Sequence, residues 1–185
     1  MFRRASLVSL VLLTSVSVAL ACGTERWAVK TGADRDAGTV NLTPEDTTIA
    51  ELSDLHAPLK PNTRPKTRFS PTEFRTFTIS GIIVGIKKEK DEDYHIVLQA
   101  PDDEEGTMVI ESVSPSCTDG SLFTQEIETV RQTIDKKIKG ISGKMKKLNL
   151  QVTVTGIGFF DPIHGQTGVA PNGIELHPIL EITFN

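Results

Sequence analysis

The sequence predicts a mainly β domain with one amphipathic helix, held behind an N-terminal export signal. Three observations carry this. Apolar residues alternate with period two in five stretches after Pro71, and one run between them recurs at spacings of three and four. The first 21 residues also have the layout of a cleavable signal peptide.

In that leader, Arg3 and Arg4 form a positive start and Leu7 to Leu20 an apolar stretch. Ala19-Leu20-Ala21 supplies the small residues that a signal peptidase requires. A membrane anchor needs about 20 apolar residues; the leader is too short for one, and no later segment reaches that length. The expected destination is the cell envelope or the outside medium. Cleavage would remove two arginines and no acid, leaving the chain more acidic than its formal −4. This balance argues against general binding of nucleic acid or another polyanion.

Two cysteines remain, Cys22 and Cys117. In an oxidising compartment an even count favours a disulfide, and two cysteines allow one internal pairing. The competing reading makes Cys22 the lipidated first residue of a lipoprotein. Ala19 stands where that signal normally has Leu, so the disulfide is preferred.

Residues 22–73 read as an extended arm and proline-rich linker, with Pro44, Pro58, Pro61, Pro65 and Pro71 among many Thr and Asp. Thr47 to Leu52 has room for a helical turn or two, and Trp27 and Val29 offer apolar contacts to the domain. Residues 74–185 form that domain. Phe77 and Ile79 alternate on one parity and Ile82, Val84 and Ile86 on the other, with Gly81 as the bend. Tyr94, Ile96 and Leu98 begin a second strand, and Thr107 to Val113 form a third after the acidic turn at Pro101–Gly106. Phe123, Ile127, Val130, Ile134 and Ile138 form the stripe of a helix over Ser121–Lys139, closed by Gly140 and Gly143. Leu148, Leu150, Val152 and Val154 make a fourth strand, bent at Gly156. Leu176, Leu180, Ile182 and Phe184 make a fifth. The order βββαββ, with long bent first and fourth strands, predicts an OB-like β-barrel. The alternative is a small α+β sheet with one packed helix.

In such a barrel the binding face lies on the second and third strands, flanked by the loops at Lys87–Asp93 and Asp161–Gly173. The latter loop holds three glycines and two prolines and displays Asp161, His164, Gln166, Thr167 and Asn172. Turn chemistry alone also explains these residues, with Asn172-Gly173 closing a hairpin. His95 and His177 lie opposite the apolar parity of their strands and complete the candidate ligand-binding set.

Three blocks carry a resemblance. They are Cys22-Gly23-Thr24-Glu25-Arg26-Trp27-Ala28-Val29-Lys30-Thr31-Gly32, Asp93-Tyr94-His95, and Thr155-Gly156-Ile157-Gly158-Phe159-Phe160-Asp161 continuing from His164 to Pro178. On these the chain resembles an uncharacterised family of exported bacterial proteins. The resemblance implies a shared fold and export, with no established activity and no catalytic residues.

Three function classes follow. A metal-dependent hydrolase would draw on His95, His164 and His177, with Asp91, Asp93, Asp161 and Glu175 as oxygen ligands or bases. No HExxH or paired CxxC is present, so no metal or other cofactor is expected. His95 and His177 would also stand two strand spacings apart, roughly 10 Å, too far for bonds of about 2 Å. An anionic-polymer binder would use Lys136, Lys137, Lys139, Lys144, Lys146 and Lys147, which a solvated helix end explains equally well. The preferred reading is an exported binding or structural module. It recognises an extracellular protein, glycan or small ligand through the 161–173 loop and the adjacent strand face.

Overall fold

The computed structural model describes residues 22–59 and 67–185. The expected signal peptide, and residues 60–66 of the proline-rich stretch, lie outside the described residues. The chain runs α1 (Trp27–Thr31), β1 (Asn41–Asp46), α2 (Ile49–Ser53), β2 (Arg75–Lys88), β3 (Tyr94–Ala100), β4 (Asp103–Ser112), α3 (Thr124–Lys137), β5 (Lys146–Phe160) and β6 (Ile174–Phe184). The six strands form one mixed sheet in the order β1-β2-β3-β4-β6-β5, and β5 also pairs with β2. The β1–β2 and β4–β6 pairs are parallel; the others are antiparallel.

This corrects the expected five-stranded OB-like β-barrel with one helix. The structure is a mixed α/β domain with a six-stranded sheet and three α-helices among the described residues. The difference arises in the segment read as an extended arm. Its apolar residues are too sparse to show a period, yet Asn41–Asp46 adds a strand alongside β2 and a capping box sets α2. There the Thr48 hydroxyl accepts from the Glu51 N–H while the Glu51 carboxylate accepts from the Thr48 N–H.

One sheet face carries the main core. Phe77, Ile79, Ile83 and Ile86 of β2 meet Ile96, Leu98, Met108, Ile110, Val152, Val154 and Leu176, covered by Ile49 and Leu52 of α2, by Val130 and Ile134 of α3 and by Ile138 at its C-cap. The irregularity in β2 falls between Ile83 and Gly85, not at Gly81. It keeps both Ile83 and Ile86 on the buried face. Gly81 is needed for a different reason: a Cβ there would lie 2.8 Å from the Leu98 side chain. A second, smaller cluster packs Val113, Phe123, Ile127 and Ile157 with Ala37 and Val40 from the N-terminal segment.

Two buried ion pairs stitch that segment down. The Arg26 guanidinium donates to both Glu73 oxygens at 2.8 and 2.6 Å and to the Phe160 and Thr67 carbonyls, between the rings of Phe69 and Phe159. Glu73 also accepts from the Phe69 and Phe160 N–H groups. Arg68 holds Asp34 at 2.6 Å. Cys22 and Cys117 form the expected disulfide, closing a 95-residue separation.

Arg26→Met leaves the fully buried Glu73 without its counter-charge, so urea denaturation should show a loss of about 3–5 kcal/mol. Arg26→Met/Glu73→Gln removes the uncompensated charge and keeps an acceptor for one of the two N–H groups, and should recover part of that loss. Equal losses in the two variants would contradict the assignment.

Candidate metal centre

The outer face of β3, β4 and β6 holds a row of titratable side chains. Antiparallel pairing sets His95 directly opposite Glu111. The parallel pairing of Ile110 with Leu176 places Glu111 beside His177 on the next strand. Alternation turns these three away from Ile96, Ile110 and Leu176, which face the core. Asp93 and Glu175 stand two residues before His95 and His177, and so join the same face.

The N-terminal segment and the 161–173 loop cover this row, so the polar groups are buried. His177 is wholly inaccessible, and Asp93, His95 and Glu175 are nearly so. Glu111 lies between the two imidazoles, with Oε1 3.3 Å from His95 Nδ1 and Oε2 3.2 Å from His177 Nδ1. Asp93 Oδ2 approaches His177 Nε2 at 3.6 Å, and Glu175 Oε2 approaches His177 Nδ1 at 4.0 Å. Asp93 is fixed from behind, since its Oδ1 accepts the Ser114 N–H at 2.7 Å. Arg131 of α3 supports this corner, stacking on Tyr94 and donating to the Glu92 and Ser112 carbonyls.

Burial without full satisfaction distinguishes the site. Neither ring nitrogen of His177 has a hydrogen bond of good geometry, nor has Asp93 Oδ2 or Glu175 Oε2. Orphaned buried donors and acceptors cost free energy and call for a partner. One donor atom each from Asp93, Glu111 and His177 lie within 4.8 Å of one another, a group that could hold a metal ion. Two donors bound at 2.0–2.2 Å to one ion stand about 3 Å apart, close to the 3.2 Å between Glu111 and His177.

The electrostatics are those of a dense carboxylate–imidazole cluster. Burial works against the charged form of His177, but the Asp93, Glu175 and Glu111 carboxylates overcome it and hold the ring proton up to about 9. Burial also pushes the Glu111 carboxyl up, while the His95 hydrogen bond and the charges of His177 and Lys30 bring it down to about 2. Glu175 is raised to about 7 by burial and then by the neighbouring Glu111 charge. His95 is raised despite burial, by Glu111 and by its bond to the Thr167 carbonyl. Lys30 reaches in from α1 to Asp161 at 3.1 Å, packed over Phe159.

The predicted site residues divide sharply. His95 and His177 sit at the cluster, and Glu111 bridges the gap of two strand spacings that had argued against their meeting. His164 does not join them; it is exposed on the loop, 3.7 Å from Asp161 Oδ2. Gln166 shapes its own loop, accepting from the His164 N–H and donating to the Pro162 carbonyl. Thr167 contributes its carbonyl, which accepts from His95 Nε2 at 2.9 Å. Asn172 is architectural, donating to the Leu52 and Leu55 carbonyls. Glu111 and Lys30 were missed. The hairpin register that sets Glu111 opposite His95 was the available signal, whereas nothing local marks Lys30.

His95, Glu111 and Glu175 of the cluster line a cleft of about 620 Å³, together with Gly23, Trp27, Lys30, Glu89, Asp91 and His164. Six carboxylates and two lysines line it, a surplus that favours a cationic occupant.

In the metal-free protein Glu175 and His177 hold protons more tightly folded than unfolded. Their stabilising contributions are therefore complete below about 4.5 and 6.5 and are lost as pH rises through about 7 and 9. Glu111 acts oppositely, its contribution present above about 4.5 and lost as pH falls through about 2. Urea midpoints in chelator should thus fall from about pH 5 to pH 9.5. His177→Gln should flatten the upper part of that decline, and a wild-type midpoint that rises over this range would contradict the reading.

No family model matches the chain, and no curated protein matches it. The resemblance to an uncharacterised exported family is therefore not upheld. Among solved structures, a putative aspartyl-tRNA synthetase from Leishmania major Friedlin is similar at 14% identity and a TM-score of 0.42, over 79% of this chain and 21% of that one. The chain thus spans about a fifth of that protein's length. No helix among the described residues is long and apolar enough to cross a membrane.

Proposed function

We propose that this chain binds a divalent metal ion through Asp93, Glu111 and His177, and that the metal serves a hydrolytic reaction in the cleft above. The observation that carries this is the buried His177 ring with neither nitrogen properly bonded, facing the unsatisfied Asp93 oxygen and the Glu111 carboxylate. A mixed carboxylate–imidazole donor set suits zinc or manganese better than a soft-metal site of thiolates.

Three protein donors leave a coordination position for water, the pattern of catalytic rather than structural metal sites. A metal there would acidify that water and polarise a substrate carbonyl or phosphoryl oxygen. Glu175, with its unpartnered Oε2 beside His177, would serve as the base for that water. This shifts the metal-site expectation from His164 and His177 to His177 with Glu111 and Asp93. The Cys22–Cys117 disulfide supports an oxidising compartment and hence export.

Zinc at 100 times its Kd should stabilise the folded chain by about 2.7 kcal/mol. His177→Ala and Glu111→Ala should each abolish the thermal shift. Glu175→Gln should keep metal binding and lose at least 100-fold in turnover of chromogenic ester or phosphoester substrates, a general-base-sized effect. No metal-dependent shift in the wild-type chain would refute the proposal.

A further inference from the structure

One carboxylate in the cleft has neither a counter-charge nor a place among the metal donors. Resting on the metal-dependent reading above, we propose that the substrate carries an organic cation, an alkylammonium or guanidinium group. That group docks between the Trp27 indole and the Asp91 carboxylate.

Of the acids lining the cleft, Asp161 is paired with Lys30, Glu89 with Lys87, and Glu111 lies between His95 and His177. Asp91 is half-buried and, among the described residues, takes part in no ion pair. Its Oδ1 accepts one long hydrogen bond, 3.3 Å, from the Asp93 N–H. Glu175, 2% exposed, lines the same cleft with an Oε2 that has no hydrogen-bond partner. A buried carboxylate oxygen without a donor calls for one from a ligand. A divalent ion on Asp93, Glu111 and His177 would leave Asp91 outside its donor set.

Beside Asp91 stands an aromatic wall. A side chain at Gly23 would bring its Cβ within 2.4 Å of the Trp27 ring and 3.1 Å of Asp91 Oδ2. Indole and carboxylate thus flank Gly23, where any larger residue would drive into the ring. The Cys22–Cys117 disulfide and the Arg26–Glu73 pair anchor the backbone on either side of Gly23, so the subsite is formed in advance. An aromatic ring attracts a cationic head or packs its alkyl stem, while a carboxylate accepts its N–H donors. Asp91 is two residues from Asp93, at most about 7 Å between Cα atoms. The cation therefore sits within a side chain's length of the metal donors, and the scissile group lies a few bonds from it. The same acids repel a phosphomonoester dianion, which narrows the substrates to esters and amides bearing an amine or guanidine.

Trp27 is the sole tryptophan, so its fluorescence reports on the subsite directly. Chelator-stripped protein is titrated with Nα-acetyl-argininamide, with its lysine analogue, and with the uncharged citrulline analogue, all at matched ionic strength. A saturable change with the arginine or lysine probe is expected, with the citrulline probe at least ten-fold weaker, the size of a charge-assisted hydrogen bond. Asp91→Asn keeps the acceptor for the Asp93 N–H and should weaken the arginine probe at least ten-fold. Should that variant fail to fold, the citrulline comparison in the wild type decides alone. A flat titration, equal binding of citrulline, or unchanged binding by folded Asp91→Asn overturns the proposal. The zinc thermal shift is read separately. A shift without cation binding overturns the subsite alone, whereas cation binding without a shift refutes the metal reading and leaves the docking site standing.

Discussion

Glu111 is a buried carboxylate held between two buried imidazoles, and much of the molecule is arranged around the cost of keeping it there. The sheet supplies the geometry. Adjacent strands run about 4.8 Å apart, so residues in register on β3, β4 and β6 form a row in which the middle side chain reaches both neighbours. Charges removed from water must be paired or they unfold the protein. Lys30 from α1 covers the Asp161 end, the Thr167 carbonyl covers His95, and the Ser114 N–H covers Asp93. His177 alone remains without a well-formed bond on either side.

Burial of the row depends on a segment with little core of its own. Residues 22–40 lie across the outer face because Arg26 and Arg68 enter fully buried ion pairs with Glu73 and Asp34, and because Cys22 is tied to Cys117. The same contacts place Gly23, Trp27 and Lys30 on the cleft wall. Stability and site are therefore coupled. The Arg26–Glu73 pair, distant in sequence from Glu111 and His177, fixes the surface that makes them buried. A chain this acidic would otherwise leave the cluster open to water, where its charges interact weakly.

Much of the architecture was legible as periodicity. The stripe from Phe123 to Ile138 marks α3, and the alternation around Leu98, Val152 and Ile182 marks β3, β5 and β6. The segment before Pro71 was not legible, because β1 pairs through its backbone while most of its side chains are exposed, leaving no apolar pattern to detect. The disulfide followed from cysteine count. In the site, His95 and His177 were visible as polar residues on the wrong parity of apolar strands. Their meeting was not, since it depends on Glu111 occupying the intervening strand, a fact of register. The glycine-rich loop divides its roles: Gln166 holds the loop's own shape, Asn172 ties it to the Leu52 and Leu55 carbonyls, and His164 stands exposed at the cleft wall, away from the cluster.

Anomalous diffraction from crystals grown with Zn²⁺, recorded at the zinc edge, examines the central claim at the atoms concerned. The account places a peak within about 2.0–2.2 Å of both a Glu111 oxygen and a His177 ring nitrogen. An empty cluster, with both His177 nitrogens bonded to carboxylates or to ordered water, would show that the imidazole is satisfied by protons alone and would contradict it.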